Sequence, residues 1–208
     1  MLIDSREEPA VNGEGFLAAF EELYGDTIEY MNSTVVEGVN PEAKIIKTDF
    51  DEIKFDGGAI YPRTRAARMI EHFGLNDPAS PQKEAKIDPF NYNFIGDERV
   101  YIAGDCRPMP FSKSASVAHS EGKHIAKVIA ARLRGKATPW ITPQSICYSL
   151  VSAHPKEAIL SRSYYRYDQA TKQWAFDPKS KSYNSRNEAL GKDALDWGDA
   201  HFRELFGA

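Results

Sequence analysis

Two rhythms of apolar and polar residues run along this chain. Short apolar or alternating runs at residues 1–3, 34–37, 44–47 and 53–55 predict strands, and a helical pattern lies between the first two, over about 15–24. A shorter helix is expected at 66–73, followed by a loop rich in Asp, Asn and Pro. Residues 100–103 then form an apolar run that breaks at Gly104-Asp105, passes a Pro-punctuated loop and opens a long helical pattern with Ser in its first turn. In that helix Val117, Ile125, Val128, Ile129 and Leu133 recur on one broad stripe, as expected for a helix packed on a sheet, and Gly135 is its expected stop. Residues 147–151 read as a strand, and 158–167 with 173–176 as a hairpin across 168–172. Leu190, Ala194, Trp197, His201 and Leu205 form the apolar stripe of a final helix, suited to a core or a subunit interface.

The order strand, acidic turn, helix around residue 104 carries the first candidate chemistry. Gly104 lets the backbone turn sharply where the strand leaves the sheet, and Asp105 projects from the carboxyl edge, where open α/β sheets bind their ligands. A carboxylate there accepts hydrogen bonds from sugar or ribityl hydroxyls. The helix start offers free N–H groups and a partial positive charge, which suit an electron-rich carbonyl or a flavin that becomes anionic on reduction. Lys113 and Ser114 stand where they could donate to a flavin's pyrimidine edge, with plain solvation the alternative for Lys113. A Gly-Asp pair alone also marks ordinary turns.

The segment after the helix adds specificity. Thr138-Pro139-Trp140 is followed by Gln144-Ser145-Ile146-Cys147-Tyr148-Ser149-Leu150-Val151. Strand-Gly-Asp, a Met-Pro-x-Ser-like loop, a Gly-Lys-bearing helix and a Cys-Tyr-Ser-Leu-Val strand, in that order, resemble the flavoprotein subunit of flavocytochrome c sulfide dehydrogenase. Pro62-Arg63-Thr64-Arg65-Ala66 resembles that family's return to the flavin domain, and Phe206-Gly207 its terminal helix end. The resemblance implies an α/β fold, part of a two-dinucleotide-binding-domain flavoprotein followed by an α+β C-terminal domain. Residues 1–59 would be a remnant of the inner nicotinamide-type domain, 60–137 the C-terminal part of the FAD-binding domain, and 138–208 the family's C-terminal domain.

The implied activity is FAD-dependent oxidation of sulfide, with electrons passed to a c-type cytochrome subunit in the periplasm. Gly104 and Asp105 would bind FAD with Lys113 and Ser114. Cys147 would form a redox disulfide beside the flavin and receive sulfur. Its partner cysteine is expected in an N-terminal flavoprotein half, because no strand with a Gly-rich pyrophosphate loop opens this sequence. Gly13-Glu14-Gly15-Phe16-Leu17-Ala18 matches G-x-G-x-x-A, yet ten residues separate it from the nearest strand, so it reads as a loop and helix start. A sulfide:quinone reductase relative is the runner-up; the charged final helix favours a soluble acceptor. A non-catalytic interaction module is the reading from another class.

Composition changes this picture little. With 42% hydrophobic and 27% charged residues the chain is that of an ordinary globular protein. A net charge of −4 with scattered Lys and Arg argues against nucleic acid. No run approaches the ~20 apolar residues of a membrane span. Cys106 and Cys147 have no metal-type spacing; on residue type alone Cys147 reads as a buried structural thiol, and Cys106 as a lining residue. A Cys106–Cys147 disulfide is the alternative pairing. His119 and His124, five apart, do not share a helix face for a metal and read as solvated or capping. Asn32-Ser33-Thr34 reads as a turn, and Tyr164, Tyr165, Tyr167 and Trp174 as a sheet core.

Overall fold

A computed structural model describes residues 1–61, 64–137 and 140–207; Pro62-Arg63 and Thr138-Pro139, part of the family-like segments, lie outside the described residues. The architecture mixes helices with several small sheets, consistent with α/β. Strand β1 (Leu2–Ile3) pairs in parallel with β2 (Tyr30–Met31) across helix α1 (Gly13–Tyr24). The three short runs that follow become an antiparallel meander of β3 (Val36–Asn40), β4 (Ile45–Thr48) and β5 (Glu52–Lys54). After α2 (Arg68–His72), a hairpin of β6 (Asn93–Phe94) and β7 (Asp97–Tyr101) leads to α3 (Ala115–Leu133). Strands β8 (Ser145–Ala153), β9 (Lys156–Ser163) and β12 (Lys181–Asn187) form one sheet in the order β12-β9-β8. Between them, β10 (Tyr165–Asp168) and β11 (Gln173–Phe176) form a hairpin, and α4 (Glu188–Phe206) closes the chain.

Several expectations shift by a few residues for identifiable reasons. The expected 158–167 strand divides in two: its first part joins β8 and β12, and Tyr165–Asp168 pairs instead with Gln173–Phe176 across the Asp-anchored turn, where Asp168 accepts from the N–H groups of Ala170 and Thr171. The apolar run at 100–103 continues a strand begun at Asp97, because hairpin pairing with β6 extends it backwards. Asn32-Ser33-Thr34, expected as a turn, is irregular chain that bends at Ser33, which is left-handed at φ 48°.

By contact the chain divides into two units. One comprises Met1–Tyr61, Cys147–Ser161 and Ser182–Ala208, the other Pro62–Ile146 and Arg162–Lys181. In the first, Ala19, Val151 and Ile159 are buried together with Phe16 against them. Here the G-x-G-x-x-A glycines find their explanation in packing: both lie inside α1, and a Cβ on Gly15 would meet the Asn184 carbonyl oxygen at 2.9 Å. Gly191 does the same for α4, since a Cβ there would lie 2.0 Å from the Lys156 carbonyl oxygen. In the second unit Ile87, Tyr92, Phe111, Val117, Tyr165 and Trp174 belong to one core. The expected aromatic cluster is thus confirmed at Tyr165 and Trp174.

Helix α3 presents a different inner face from the one its apolar pattern predicts. Val117, Glu121, His124 and Val128 are buried, while Ile129 is partly exposed and Leu133 is 84% exposed. The sequence stripe fails at its C-terminal end because the core stops short of the last helical turn, and it omits the charged residue that occupies the middle.

Candidate functional site

The site is a loop held from beneath by a buried ion pair. Past β7 the chain runs through buried Ile102 to Gly104, whose φ of 70° is left-handed and whose Cβ, if present, would lie 3.3 Å from the Ala118 methyl. Gly104–Cys106 forms a single 3₁₀ turn. The N–H of Gly104 donates to Glu121 Oε2 at 2.7 Å, and Arg107 Nε donates to Glu121 Oε1 at 2.6 Å, with both side chains wholly buried. The guanidinium then donates through Nη1 to the carbonyls of Met109 (2.6 Å) and Phe111 (2.9 Å), and through Nη2 to that of Ser112 (2.9 Å). The loop is therefore wound around one cation, whose own charge is matched by a carboxylate from the helix the loop leads into. Charge-assisted bonds of this kind are about twice as strong as neutral ones, and they satisfy carbonyls that helix or sheet cannot reach.

Around this pair the loop's ends are pinned. Ser112 N–H donates to the Tyr165 hydroxyl at 2.8 Å, and Ser114 caps α3 by accepting from the Val117 N–H. Tyr92 donates to Glu121 Oε1 at 3.4 Å; burial, followed by the Glu121 charge, pushes its phenol well above the ordinary value. Burial likewise raises Tyr165.

The four expected FAD contacts fall on this one loop. Asp105 is exposed, and its backbone carbonyl accepts from Lys113 Nζ at 2.6 Å. Lys113 also pairs with Glu84 at 2.6 Å, so its ammonium braces the loop. An exposed carboxylate on a rigid turn beside a helix start fits a hydroxyl-rich ligand with an electron-rich edge: the carboxylate accepts from hydroxyls, and the Ala115 and Ser116 N–H groups lie outside the intrahelical ladder. Cys106 is half-buried against the second unit's core, and its carbonyl accepts from Ala85 N–H. Cys147 lies in β8, in the first unit, and is exposed, which corrects the buried-thiol reading made from residue type. Both thiols are free.

Two residues central to this geometry escaped sequence reading. Arg107 sits between Cys106 and Pro108 in what reads as surface loop, and Glu121 interrupts an apolar stripe four residues after Val117 and seven before Val128. That interruption was the available signal: a charge on a buried face must have a partner. His124 is a further correction. It is buried, its Nε2 donates to the Phe90 carbonyl at 3.0 Å, and its ring meets Trp140 edge-on at 4.9 Å. Among the described residues no group of His, Cys, Asp and Glu could hold a metal, and no helix is long and apolar enough to cross a membrane.

No family model matches the chain. A stretch of 54 residues is 35% identical to the NADH dehydrogenase-like protein YutJ of Bacillus subtilis, covering 26% of this chain and 15% of that protein. This likeness supports a general relationship to oxidoreductases. Among solved structures, a chain in the cryo-EM structure of the Tetrahymena thermophila mitochondrial ATP synthase (F1Fo composite tetramer) superposes with a TM-score of 0.52 at 12% identity, over 88% of this chain and 40% of that one. At that identity the match speaks to fold alone.

Proposed function

We propose that this chain forms the ribityl-facing part of an FAD site in an oxidoreductase, acting together with an N-terminal flavoprotein half. The observation that carries the reading is the Gly104–Asp105 turn, fixed from below by the buried Arg107–Glu121 pair so that an exposed carboxylate stands beside the start of α3. The likeness to an NADH dehydrogenase-like protein supports the oxidoreductase class. In its finer form, following the family resemblance, the substrate is sulfide, the acceptor a c-type cytochrome, the compartment periplasmic, and Cys147 the cysteine beside the flavin. FAD would supply the electron-accepting chemistry; this chain's part is to hold its ribityl chain and to present a thiol.

Asp105→Ala tests the cofactor reading. Losing hydrogen bonds to hydroxyls that stay buried costs about 1–3 kcal/mol, so FAD affinity of the complex with the N-terminal half should fall by roughly 5- to 150-fold in a flavin-fluorescence titration. Unchanged affinity and an unchanged flavin spectrum would overturn it. Cys147→Ser tests the finer reading: FAD should stay bound while sulfide no longer bleaches it. Reduction of a quinone in preference to cytochrome c would point to the quinone-reductase relative.

A second reading, a non-catalytic interaction module, is favoured by the large apolar side chains left in solvent, among them Phe50 at 77% and Tyr61 at 91% exposure. A complex that is colourless once unbound flavin has been removed after incubation with excess FAD would decide for it.

A further inference from the structure

Helix α4 carries two apolar stripes, and the fold uses one. Leu190, Gly191, Ala194, Trp197 and His201 are buried or half-buried, with the Trp197 ring tilted against His201 at 4.3 Å and against Tyr148 at 5.9 Å. The second stripe runs through Leu195, Phe202 and Phe206, spaced by seven and four residues so that all three share one face at 100° per residue. They are 40%, 65% and 70% exposed, and the two phenylalanine rings touch at a tilt, with centroids 5.1 Å apart. An exposed face of this size on a helix calls for a partner.

The charges beside the stripe say which partner. Asp196 and Arg203 lie on the same flank, about 100° and 80° round from Leu195 by helical geometry. Lys192, one turn earlier on that flank, already pairs with Asp196, and Asp199 interrupts the stripe itself, so Arg203 of a second copy would meet Asp199 and share Asp196 with Lys192. When two such helices lie antiparallel with Leu195 of one opposite Phe206 of the other, Arg203 comes opposite Asp196 and Asp199 of the second copy, and twofold symmetry makes the same contact again. In antiparallel helix pairs like flanks meet, so a flank bearing both signs in this order complements itself. A parallel twofold pairing brings opposite flanks together, so Asp196 and Arg203 would face the Ala194, Gly198 and Leu205 side of the second copy and meet no opposite charge. We propose that the Leu195–Phe202–Phe206 face of α4 is a docking surface for the same face of a second copy of this chain, antiparallel about a twofold axis and registered by Arg203 against Asp196 and Asp199. One helix pair buries less than a standard ~1,600 Å² interface, so the dimer is weak, with dissociation constants in the micromolar range.

Sedimentation velocity on the full chain tests this. The wild-type chain should pass from monomer to dimer as its concentration is raised through the micromolar range into ~100 μM, and the midpoint should move up with salt. Phe202→Asp, at a solvent-exposed position, should keep the circular dichroism spectrum and melting temperature yet stay monomeric throughout. Arg203→Asp alone, and the double variant Asp196→Arg/Asp199→Arg alone, should each raise the midpoint at least tenfold by setting like charges opposite one another. Mixing these two variants should restore dimers of mixed composition, because each reversed flank then meets its complement. A wild-type chain that stays monomeric at ~100 μM, a dimer that survives Phe202→Asp, or a mixture that fails to recover would each overturn the proposal.

Discussion

Glu121 shows how much one side chain can decide. Its two oxygens take hydrogen bonds from the Gly104 N–H, the Arg107 guanidinium and the Tyr92 hydroxyl, in a setting with no water-exposed surface. A buried ion pair contributes little net stability over an apolar pair of the same volume, but removing one partner leaves the other charge stranded, at about 3–5 kcal/mol. Glu121→Ala should therefore lower unfolding stability by about that amount, read from the urea midpoint, and release the 107–112 loop, read as lost amide-exchange protection at Gly104. Arg107→Met in the same background should recover part of the loss, since it removes the stranded cation. If Glu121→Ala leaves the midpoint unmoved, the loop is held by something other than this pair.

At the scale of elements, one phenol ties α3, and a second ties the loop before it, to other parts of the second unit. Tyr92 lies under α3 through Glu121, and Tyr165 lies on β10 with its oxygen receiving the Ser112 N–H. Both phenols are raised from the ordinary value of 10.0, chiefly by burial. The unfolded chain loses these protons at its ordinary pKa while the folded chain retains them. Their contribution to stability is thus complete below about pH 10 and is lost as the pH climbs from there toward the folded values. Absorbance titration at 295 nm should show Tyr92 and Tyr165 ionising only in step with loss of secondary structure. Tyr92→Phe and Tyr165→Phe should each remove a late-titrating phenol. Two phenols that ionise near pH 10 while the fold is intact would contradict their burial.

The whole molecule is not assembled in the order it is written. Arg162–Lys181 belongs with Pro62–Ile146, and from it Tyr165 and Trp174 enter the same core as Ile87 and Phe111. Trp174 packs edge-on to Phe111 at 5.2 Å, and its indole N–H donates to the Pro89 carbonyl at 3.3 Å. A chain cut after Gly135 keeps the hairpin and α3 but loses these two aromatics, each worth about 3–5 kcal/mol on removal, which together match the stability of an ordinary domain. Such a truncation should lack a cooperative thermal transition. A sharp melt from the shortened chain would show that the second unit stands without Tyr165 and Trp174.

What the sequence determined by itself is local. Helices α1, α3 and α4, the three short strands that follow α1, the Cys147-bearing strand and the Gly104–Asp105 turn were legible because 3.6-residue and 2-residue periods, a Ser-rich first turn and a glycine at a sharp turn act within a few residues of the chain. Tertiary structure alone decided the rest. It closed the hairpin at Tyr165, turned Ile129 and Leu133 outward, placed the helix glycines against Asn184 and Lys156, and buried Arg107, Glu121 and His124. The contacts of Gly15 and Gly191 and the burial of Arg107, Glu121 and His124 depend on partners between 14 and 169 residues away, and a side chain's burial is set by what the fold brings to it. Periodicity reports which face of a helix is apolar; only the assembled core determines where along that face packing ends, and which charge it must enclose.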